Sequence, residues 1–429
     1  MSHRTAWFLA ALSVACSHPK NSNVCVDKTG QAHGALLASA LPYRGVALSS
    51  AEFCSEPFKY RSPCAHGTGY VWPDPAYAEG YASADYYLGK GMTTFRLPFS
   101  WENLQPTLSA AFDTTELARL QTTVSDLRGK GAVVLLDPHN YARWKGDLIG
   151  SASVPNGAFA DLWSRLAALY KDDAGVLFGL MNEPHDMSTD DWAAAANAAI
   201  VAIRATGATN LILVPGNDYT GAADWSNDFY GTANSVAMLT VTDSGDNFAF
   251  EVHAYLDSNA SGTSETCTST TIGAERMQPF TDWLHANHRR GFLGEFSGGP
   301  NTTCLTAIDG QLAHLEANRD VYLGWSYWAG GPWYGPDPSL EPNTDSSDKA
   351  QMTTLLSHIT YAPPDAGASA GSSSGASAGS GSSAGSASGG GASAGSTSGH
   401  TGGAAAGGAS GSSAGNSTSG SAPTTACKP

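Results

Sequence analysis

The chain has 429 residues, of which 14% are charged, and its 22 Lys and Arg against 38 Asp and Glu give a formal net charge of −16. A net acidic chain repels phosphate backbones, so nucleic acid is excluded as a primary partner. The 41% of hydrophobic residues, with 11 Trp, 16 Tyr and 14 Phe, exclude disorder of the whole chain and favour a large core.

The N-terminus has the pattern of an export signal. Basic Arg4 precedes an apolar run, 6–15, which is too short to span a bilayer and ends in small residues. We therefore expect a signal peptide over 1–15, secretion of the protein, and an N-terminal segment over 16–41. Because Cys16 follows directly, lipoprotein cleavage with a lipid anchor at Cys16 is the alternative. Later stretches are shorter than a transmembrane helix, so no membrane span is predicted.

Eight short apolar runs bounded by turn residues follow in chain order and predict eight β-strands. They begin near Gly45, Thr94, Ala132, Val176, Leu211, Phe248, Phe292 and Tyr322. Helix-like segments, with apolar residues three and four apart, lie between the runs. These segments are 77–88, 116–127, 159–170, 192–203, 277–288 and 305–315. Trp163 and Trp192 fall within them and are expected in the core.

Strands that are apolar on both faces are typical of a parallel sheet covered by helices. Eight such strand–helix units predict an α/β fold, a closed (β/α)8 TIM barrel over 42–362. A doubly wound open sheet is the competing interpretation, but the segment after the first strand lacks the Gly-rich fingerprint of that fold. Residues 363–429 are rich in Ser, Gly and Ala and predict a low-complexity, disordered tail.

Seven cysteines in an exported chain predict disulfides. Cys54 and Cys64 lie close together on one predicted loop, and we pair them. Cys267 and Cys304 flank one predicted helix and one strand, and we pair these as well. Three cysteines are left without an assigned partner: Cys16, Cys25 and Cys427.

The active site of such a barrel lies at the carboxyl ends of its strands, so the polar residues that end the eight runs are the candidates. In chain order they are Arg96, His139, Asn182, Glu183, His253, Tyr255, Glu295 and Trp328. Glu183 and Glu295 end the fourth and seventh runs and can face each other across the barrel mouth. Cleavage of a glycosidic bond needs such a pair: an acid for the leaving oxygen, and a carboxylate that attacks the anomeric carbon or activates water.

A metal site at His139 and His253 is disfavoured, because neither shows the i, i+4 helical spacing of a zinc site and no cysteine accompanies them. We therefore predict no metal and no other cofactor, although the acidic surface leaves a calcium ion open. Trp144 and the aromatic pair at 333–334 lie on predicted rim loops, where they either stack on sugar rings or pack the loops.

Six stretches resemble the signatures of glycoside hydrolase family 5, and closely those of its fungal-type endoglucanase branch. They are FRLPFSWENLQP, DPHNYARW, MNEPHD, EVHAYLD, LGEFSGG and YLGWSYWAGG. The resemblance runs from about Tyr43 to His358 and implies a (β/α)8 barrel that hydrolyses β-1,4-linked glucan with retention. One departure is FSGG after the seventh strand, where the fungal relatives usually have TGGG.

The resemblance also implies a role for each matching residue. Glu183 matches the acid/base and Glu295 the nucleophile, while Asn182 would hold the 2-hydroxyl of the sugar. Arg96 and Tyr255 would keep Glu295 ionised and oriented. The remaining substrate-binding candidates are His139, Asn140, Trp144, His253 and, as the ring on which the sugar stacks, Trp328.

We thus expect a secreted, monomeric, retaining endo-β-1,4-glucanase, a cellulase acting on β-1,4-glucan polysaccharide or oligosaccharide. A β-mannanase or mixed-linkage β-glucanase is the alternative within the enzyme class, because these activities share the same residues and differ in loops. A non-catalytic glycan-binding barrel is disfavoured because both glutamates are present.

Overall fold

The computed structural model describes residues 25–26, 32–33, 41–53, 70–73, 84–331, 340 and 347–359. The chain divides into two units, Met1–Pro363 and Pro364–Pro429, and every described residue belongs to the first. The predicted signal peptide and tail lie outside the described residues. The proposed domain boundaries therefore stay predictions.

Eight parallel strands form a closed barrel. They are β1 Tyr43–Leu48, β2 Thr94–Phe99, β3 Val133–Pro138, β4 Val176–Gly179, β5 Ile212–Pro215, β6 Phe248–His253, β7 Gly291–Glu295 and β8 Tyr322–Gly330. Strands adjacent in sequence are adjacent in the barrel, and β8 pairs with β1 to close it. The predicted (β/α)8 fold class is confirmed.

Helices follow most strands and cover the outside of the barrel. They are α1 Ala84–Gly89, α2 Trp101–Leu104, α3 Thr114–Gly129, α4 Asn156–Tyr170, α5 Thr189–Ala205, α6 Asn234–Ala237, α7 Ile272–Asn287, α8 Thr302–Ala317 and α9 Ala350–Ile359. Short 3₁₀ turns occupy Asp218–Thr220 and Met238–Thr240, and two-residue strands pair Cys25–Val26 with Ala32–His33 and Arg143–Trp144 with Asp147–Leu148. Five of the predicted helical segments fall within α3, α4, α5, α7 and α8 to within a residue, and the part of the sixth at 77–83 lies outside the described residues.

Side-chain oxygens fix the start of several helices. Asp113 accepts hydrogen bonds from the backbone N–H groups of Thr115 and Glu116, both at 2.9 Å, and Asn301 accepts from that of Cys304 at 3.0 Å. Such N-caps satisfy backbone donors that have no partner within the helix. The helices therefore begin at defined positions after each strand.

The core between barrel and helices contains the two tryptophans predicted there. Trp163 and Trp192 are fully buried, and their indole N–H groups donate to the carbonyls of Leu180 at 3.0 Å and Pro215 at 2.7 Å. Both bonds reach the carboxyl-terminal ends of strands. The helices are thereby fixed to the rim that carries the site.

The barrel interior is filled in two layers. The lower layer is an apolar cluster of Leu135, Leu177, Leu211, Leu213, Ala249 and Phe292. Because side chains alternate along a strand, Glu251 and His253 point to the same side of β6 as Ala249 and continue the interior upwards. A charged layer therefore rests on an apolar base.

In the described part of the chain, no helix combines the length and the apolar character needed to cross a bilayer.

Helix α9 is attached to α8 by a histidine between two acids. His358 Nδ1 lies 3.0 Å from Glu316 Oε1, and its Nε2 lies 3.1 Å from Asp309 Oδ1. Burial alone would lower the pKa of His358, but the two carboxylates outweigh it and raise that pKa above its usual value. Stability from this contact is therefore fully present below the unfolded pKa of about 6.5 and is lost as the pH rises through the folded pKa.

We expect His358→Gln to lower the free energy of unfolding by about 1 kcal/mol near pH 5 and by clearly less near pH 9. Urea titrations of variant and wild type at both pH values measure the difference. An equal loss at both values would mean that the charge of His358 does not contribute.

Candidate active site

The strands bring eight predicted residues to one end of the barrel. They are Arg96 on β2, His139 after β3, Asn182 and Glu183 after β4, His253 and Tyr255 at and after the end of β6, Glu295 at the end of β7 and Trp328 on β8. Six of these side chains are buried, whereas Glu183 and Trp328 are half-buried. The set forms one continuous polar site at the carboxyl ends of the strands.

Arg96 is the buried cation at the centre of the site. Its Nη1 lies 2.5 Å from Glu295 Oε1, and its Nη2 lies 2.8 Å from Asn182 Oδ1 and 3.0 Å from Asp137 Oδ2. Burial alone would lower the pKa of Arg96, but the carboxylates of Asp137, Glu295 and Glu251 raise it well above its usual value. The guanidinium therefore stays charged and orients the groups around it.

Glu295 receives donors from three directions. Besides Arg96, the Tyr255 hydroxyl donates to Oε2 at 2.6 Å, and His253 Nδ1 lies 3.4 Å from the same oxygen. Its side chain is only 4% exposed. The carboxylate of Glu295 is therefore held in one orientation by contacts to both of its oxygens.

Glu183 has a different environment. Its Oε1 lies 2.8 Å from His253 Nδ1, and its side chain is 15% exposed. One carboxylate oxygen of Glu183, one of Glu295 and one ring nitrogen of His253 all lie within 4.8 Å of one another. Two carboxylates therefore face each other across the mouth, one largely buried against Arg96 and one nearer to solvent.

His253 links the two carboxylates. Burial alone would lower the pKa of His253, but Glu295, Glu183 and Glu251 raise it to about 10. The imidazole thus lies between the two carboxylates within one cluster.

Asn182 and His139 form a second buried chain. Asn182 Nδ2 lies 3.0 Å from His139 Nε2, and His139 Nδ1 lies 2.8 Å from Asp137 Oδ2. Although burial opposes it, Arg96 and His139 lower the pKa of Asp137 below its usual value. Asp137 was not predicted from the sequence as a site residue. Its position two residues before His139 puts both side chains on the same side of the end of β3.

Asn140 and Trp144, two predicted substrate-binding residues, form hydrogen bonds to other parts of the protein. Asn140 is fully buried; its Oδ1 accepts from the Trp101 N–H at 2.8 Å and its Nδ2 donates to Glu102. Both polar atoms of its amide therefore bond to the protein. Trp144 is half-buried, with its indole N–H donating to the Gln105 carbonyl at 3.1 Å and Lys145 Nζ 4.4 Å from its ring centroid.

Trp328 forms one wall of the site. Its ring stacks on His139 with centroids 5.2 Å apart and planes 14° apart, and Arg96 Cζ lies 5.8 Å from the ring centroid. The peptide bond between Trp328 and Ala329 is cis. The predicted rim aromatics at 333–334 lie outside the described residues.

An aromatic rim beside Glu183 was not predicted from the sequence. His185 stacks on Tyr219 with centroids 4.2 Å apart and planes 13° apart, and Tyr141 meets His185 edge-on. These side chains come from three different strand-end loops. Only the short distance of His185 from Glu183 along the chain could have indicated their place.

A family model for cellulases of glycosyl hydrolase family 5 matches residues 58–331. The chain belongs to this family. It is therefore a glycoside hydrolase, and the resemblance seen in the six motifs is confirmed.

Relatives of known name agree with the family 5 assignment. Endo-beta-1,4-glucanase B of Aspergillus niger is 41% identical over 326 residues, which cover 75% of this chain and 92% of that protein. The crystal structure of an endo-beta-1,4-glucanase from Xanthomonas axonopodis pv. citri matches with a TM-score of 0.69 and 43% identity, covering 74% of this chain and 98% of that one. Endoglucanase Cel5A of Pseudomonas stutzeri, crystallised with cellobiose, matches with a TM-score of 0.66 and 32% identity over 74% and 92% of the two chains.

The family 5 barrel carries the predicted disulfide between Cys267 and Cys304. It joins the loop after β6, which also contains Tyr255, to the first turn of α8. The predicted partners Cys54 and Cys64 lie outside the described residues, so that pairing stays a prediction.

We expect Cys267→Ser combined with Cys304→Ser to lower the free energy of unfolding by roughly 2–4 kcal/mol, because the bridge restricts the unfolded chain. Denaturant unfolding of the double variant measures the loss, with the wild type in reductant as a control. An unchanged midpoint in both samples would contradict the expected contribution.

Proposed function

We propose that the protein is a secreted, retaining endo-β-1,4-glucanase that hydrolyses internal β-1,4-glucosidic bonds by double displacement. The observation that carries the proposal is the proximity of Glu183 and Glu295: one carboxylate oxygen of each lies within 4.8 Å of one oxygen of the other. Retaining enzymes hold their carboxyl groups about 5–5.5 Å apart, whereas inverting enzymes need roughly 6.5–9.5 Å to admit a water. The short separation supports direct attack by one carboxylate.

In the first step, an oxygen of Glu295 attacks the anomeric carbon while Glu183 transfers its proton to the leaving oxygen. The glycosidic bond breaks and a glycosyl ester of Glu295 forms. In the second step, Glu183 takes a proton from water, the resulting hydroxide attacks the same carbon, and Glu295 leaves as a carboxylate. Two displacements on one carbon retain its configuration.

The surroundings of Glu295 support its role as nucleophile. Arg96 at 2.5 Å and the Tyr255 hydroxyl at 2.6 Å hold its two oxygens and fix the orientation of the carboxylate for attack. Both donors are buried, so their interaction with the carboxylate is little screened by water.

The surroundings of Glu183 support its role as acid and base. Its side chain is more exposed than that of Glu295, at 15% against 4%, so it can reach the leaving group and water. His253 Nδ1 lies 2.8 Å from Oε1 of Glu183, so a titratable ring stands beside the acid. Proton transfer of this kind contributes roughly 10²–10⁴-fold to the rate of such reactions.

The substrate is inferred from the relatives and from the site. The relatives from Aspergillus and Xanthomonas are named endo-beta-1,4-glucanases, and the Pseudomonas relative was crystallised with cellobiose. In this chain we assign sugar stacking to the half-buried Trp328 ring, and contact with the hydroxyl beside the cleavage point to Asn182, the neighbour of Glu183. We infer a β-1,4-glucan chain as the bound partner.

Secretion completes the proposal. The disulfide between Cys267 and Cys304 is of a kind that persists in oxidising compartments, and the sequence begins with an export pattern. Together these features support release of the enzyme outside the cell.

We expect the two glutamates to differ when replaced by alanine. Glu295→Ala should be inactive on every substrate, because no other group forms the ester. Glu183→Ala should lose roughly 10²–10⁴-fold on cello-oligosaccharides. It should keep most of its activity on an aryl cellobioside whose leaving group needs no proton, and azide should accelerate it by replacing the activated water.

Glu275→Ala, at an exposed position on α7, serves as the control and should match the wild type. NMR of the first-formed product reports its anomeric configuration. Inversion by the wild type, or an exchange of the two variants' behaviour, would contradict the assigned roles.

The substrate class has its own test. Reducing ends released from carboxymethylcellulose, glucomannan, mannan and xylan should be highest on the glucan. Faster release from mannan would replace the glucanase proposal by a mannanase, and no release from any of the four would favour a binding protein.

A further inference from the structure

Beneath the two glutamates lies a third interior carboxylate, Glu251, that the proposed mechanism does not use. It is 1% exposed, and its Oε1 lies 3.5 Å from Arg96 Nε and 3.6 Å from His253 Nε2. Among the described residues, none of these three buried atoms has a partner at hydrogen-bond distance. The carboxylate is thus the group that both buried N–H positions face.

The neighbouring strand leaves room for this carboxylate. Gly294 precedes Glu295 on β7, and a Cβ placed there would come 1.9 Å from Glu251 Oε1. Any side chain at position 294 would force Glu251 away from Arg96 and His253. The observed position of Glu251 therefore requires a glycine at position 294.

The geometry around His253 determines which protons it carries. Its Nδ1 faces Glu183 Oε1 at 2.8 Å, and its Nε2 faces Glu251 Oε1 at 3.6 Å. A neutral imidazole has one lone pair, and either tautomer would point that lone pair at a carboxylate. Protons on both nitrogens remove this repulsion.

We propose that Glu251 is a positioning residue that keeps His253 doubly protonated, so that His253 always donates to Oε1 of Glu183 and the acid proton of Glu183 resides on Oε2. The inference rests on the proposed function of Glu183 as acid and base. It adds a residue that sets the direction from which that acid delivers its proton.

Several charged groups face His253 from the surrounding strands. They are Glu183 after β4, Glu295 on β7, Glu251 on β6 itself, Asp137 on β3 and the cation Arg96 on β2. During the proposed cycle Glu183 is uncharged before the first step and Glu295 is uncharged in the ester. Glu251 takes no part in bond formation, so its charge stays constant through both steps. The carboxylates together raise the pKa of His253 to about 10.

NMR of ¹⁵N-histidine-labelled protein tests the proposal directly. In the wild type, both ring nitrogens of His253 should stay protonated from about pH 5 to pH 8, unlike an ordinary histidine. Glu251→Gln removes the charge and should lower the pKa of His253 by about 1–3 pH units. An unchanged pKa of His253 in this variant, followed by titration to alkaline pH, would overturn the proposal, whatever the outcome for the substrate or the stereochemistry.

Kinetics supply the second test. Glu251→Gln should lower kcat/KM on cello-oligosaccharides by about tenfold or more, as a part of the loss expected for a missing general acid. The loss on an aryl cellobioside whose leaving group needs no proton should be much smaller. Equal losses on both substrates would assign Glu251 a merely structural role and overturn the proposal.

Two further variants control the experiment. Glu251→Asp keeps the charge and should restore both the protonation of His253 and most of the activity; it also serves if the glutamine variant fails to fold. Glu116→Gln changes a buried glutamate on α3 that accepts from Tyr70 at 2.6 Å and Trp72 at 3.0 Å. This matched variant should leave the protonation of His253 and the leaving-group dependence as in the wild type.

Discussion

The site depends on one buried cation. Arg96 is 1% exposed and lies within 3.5 Å of the carboxylates of Asp137, Glu251 and Glu295. Placing a charge inside a protein is costly unless it is paired, and three carboxylates without Arg96 would repel one another. A lysine could not replace it, because its single ammonium lacks the planar fork that contacts groups on three different strands. The guanidinium lies inside the closed barrel and holds in place the charged groups that form the active site.

The apolar base of the interior makes these interactions strong. Leu135, Leu177, Leu213, Ala249 and Phe292 fill the barrel below the charged layer. Ion pairs gain strength where the local dielectric is low. The apolar layer therefore strengthens the interaction of Arg96 with the carboxylates above it. The same feature explains why unpaired polar atoms are costly here. The packed interior thus stabilises the barrel at its lower end and supports the chemistry at its upper end.

The sequence predicts the barrel well because parallel strands buried on both faces are continuous apolar runs. All eight predicted starts lie within two residues of the observed ones, as with Leu211 against Ile212. The four-residue helices α2 and α6 are too short to show a helical period, so they were not predicted. The two glutamates could be predicted because each lies at or shortly after the end of a strand. The contacts of Asp137 and Glu251 depend on distances across the barrel that no local pattern encodes. Asn140 was predicted to bind substrate from the family resemblance, and its bond to Glu102 depends on how the loops after β2 and β3 fold together.

The different environments of the two glutamates follow from where their strands end. Glu295 is the last residue of β7, and its carbonyl still accepts the N–H of Ala254 at 3.0 Å, so the sheet holds it close to Arg96. Glu183 lies four residues beyond the end of β4, with a φ of +38° that few residues other than glycine adopt. The backbone there is held by the Asn182 N–H on the Pro138 carbonyl at 3.0 Å and the Tyr219 N–H on the Pro184 carbonyl at 3.1 Å. This turn lifts Glu183 out of the charged layer towards the cleft. One carboxylate therefore stays against Arg96 while the other reaches solvent, a difference that fits the proposed attacking and proton-transferring roles.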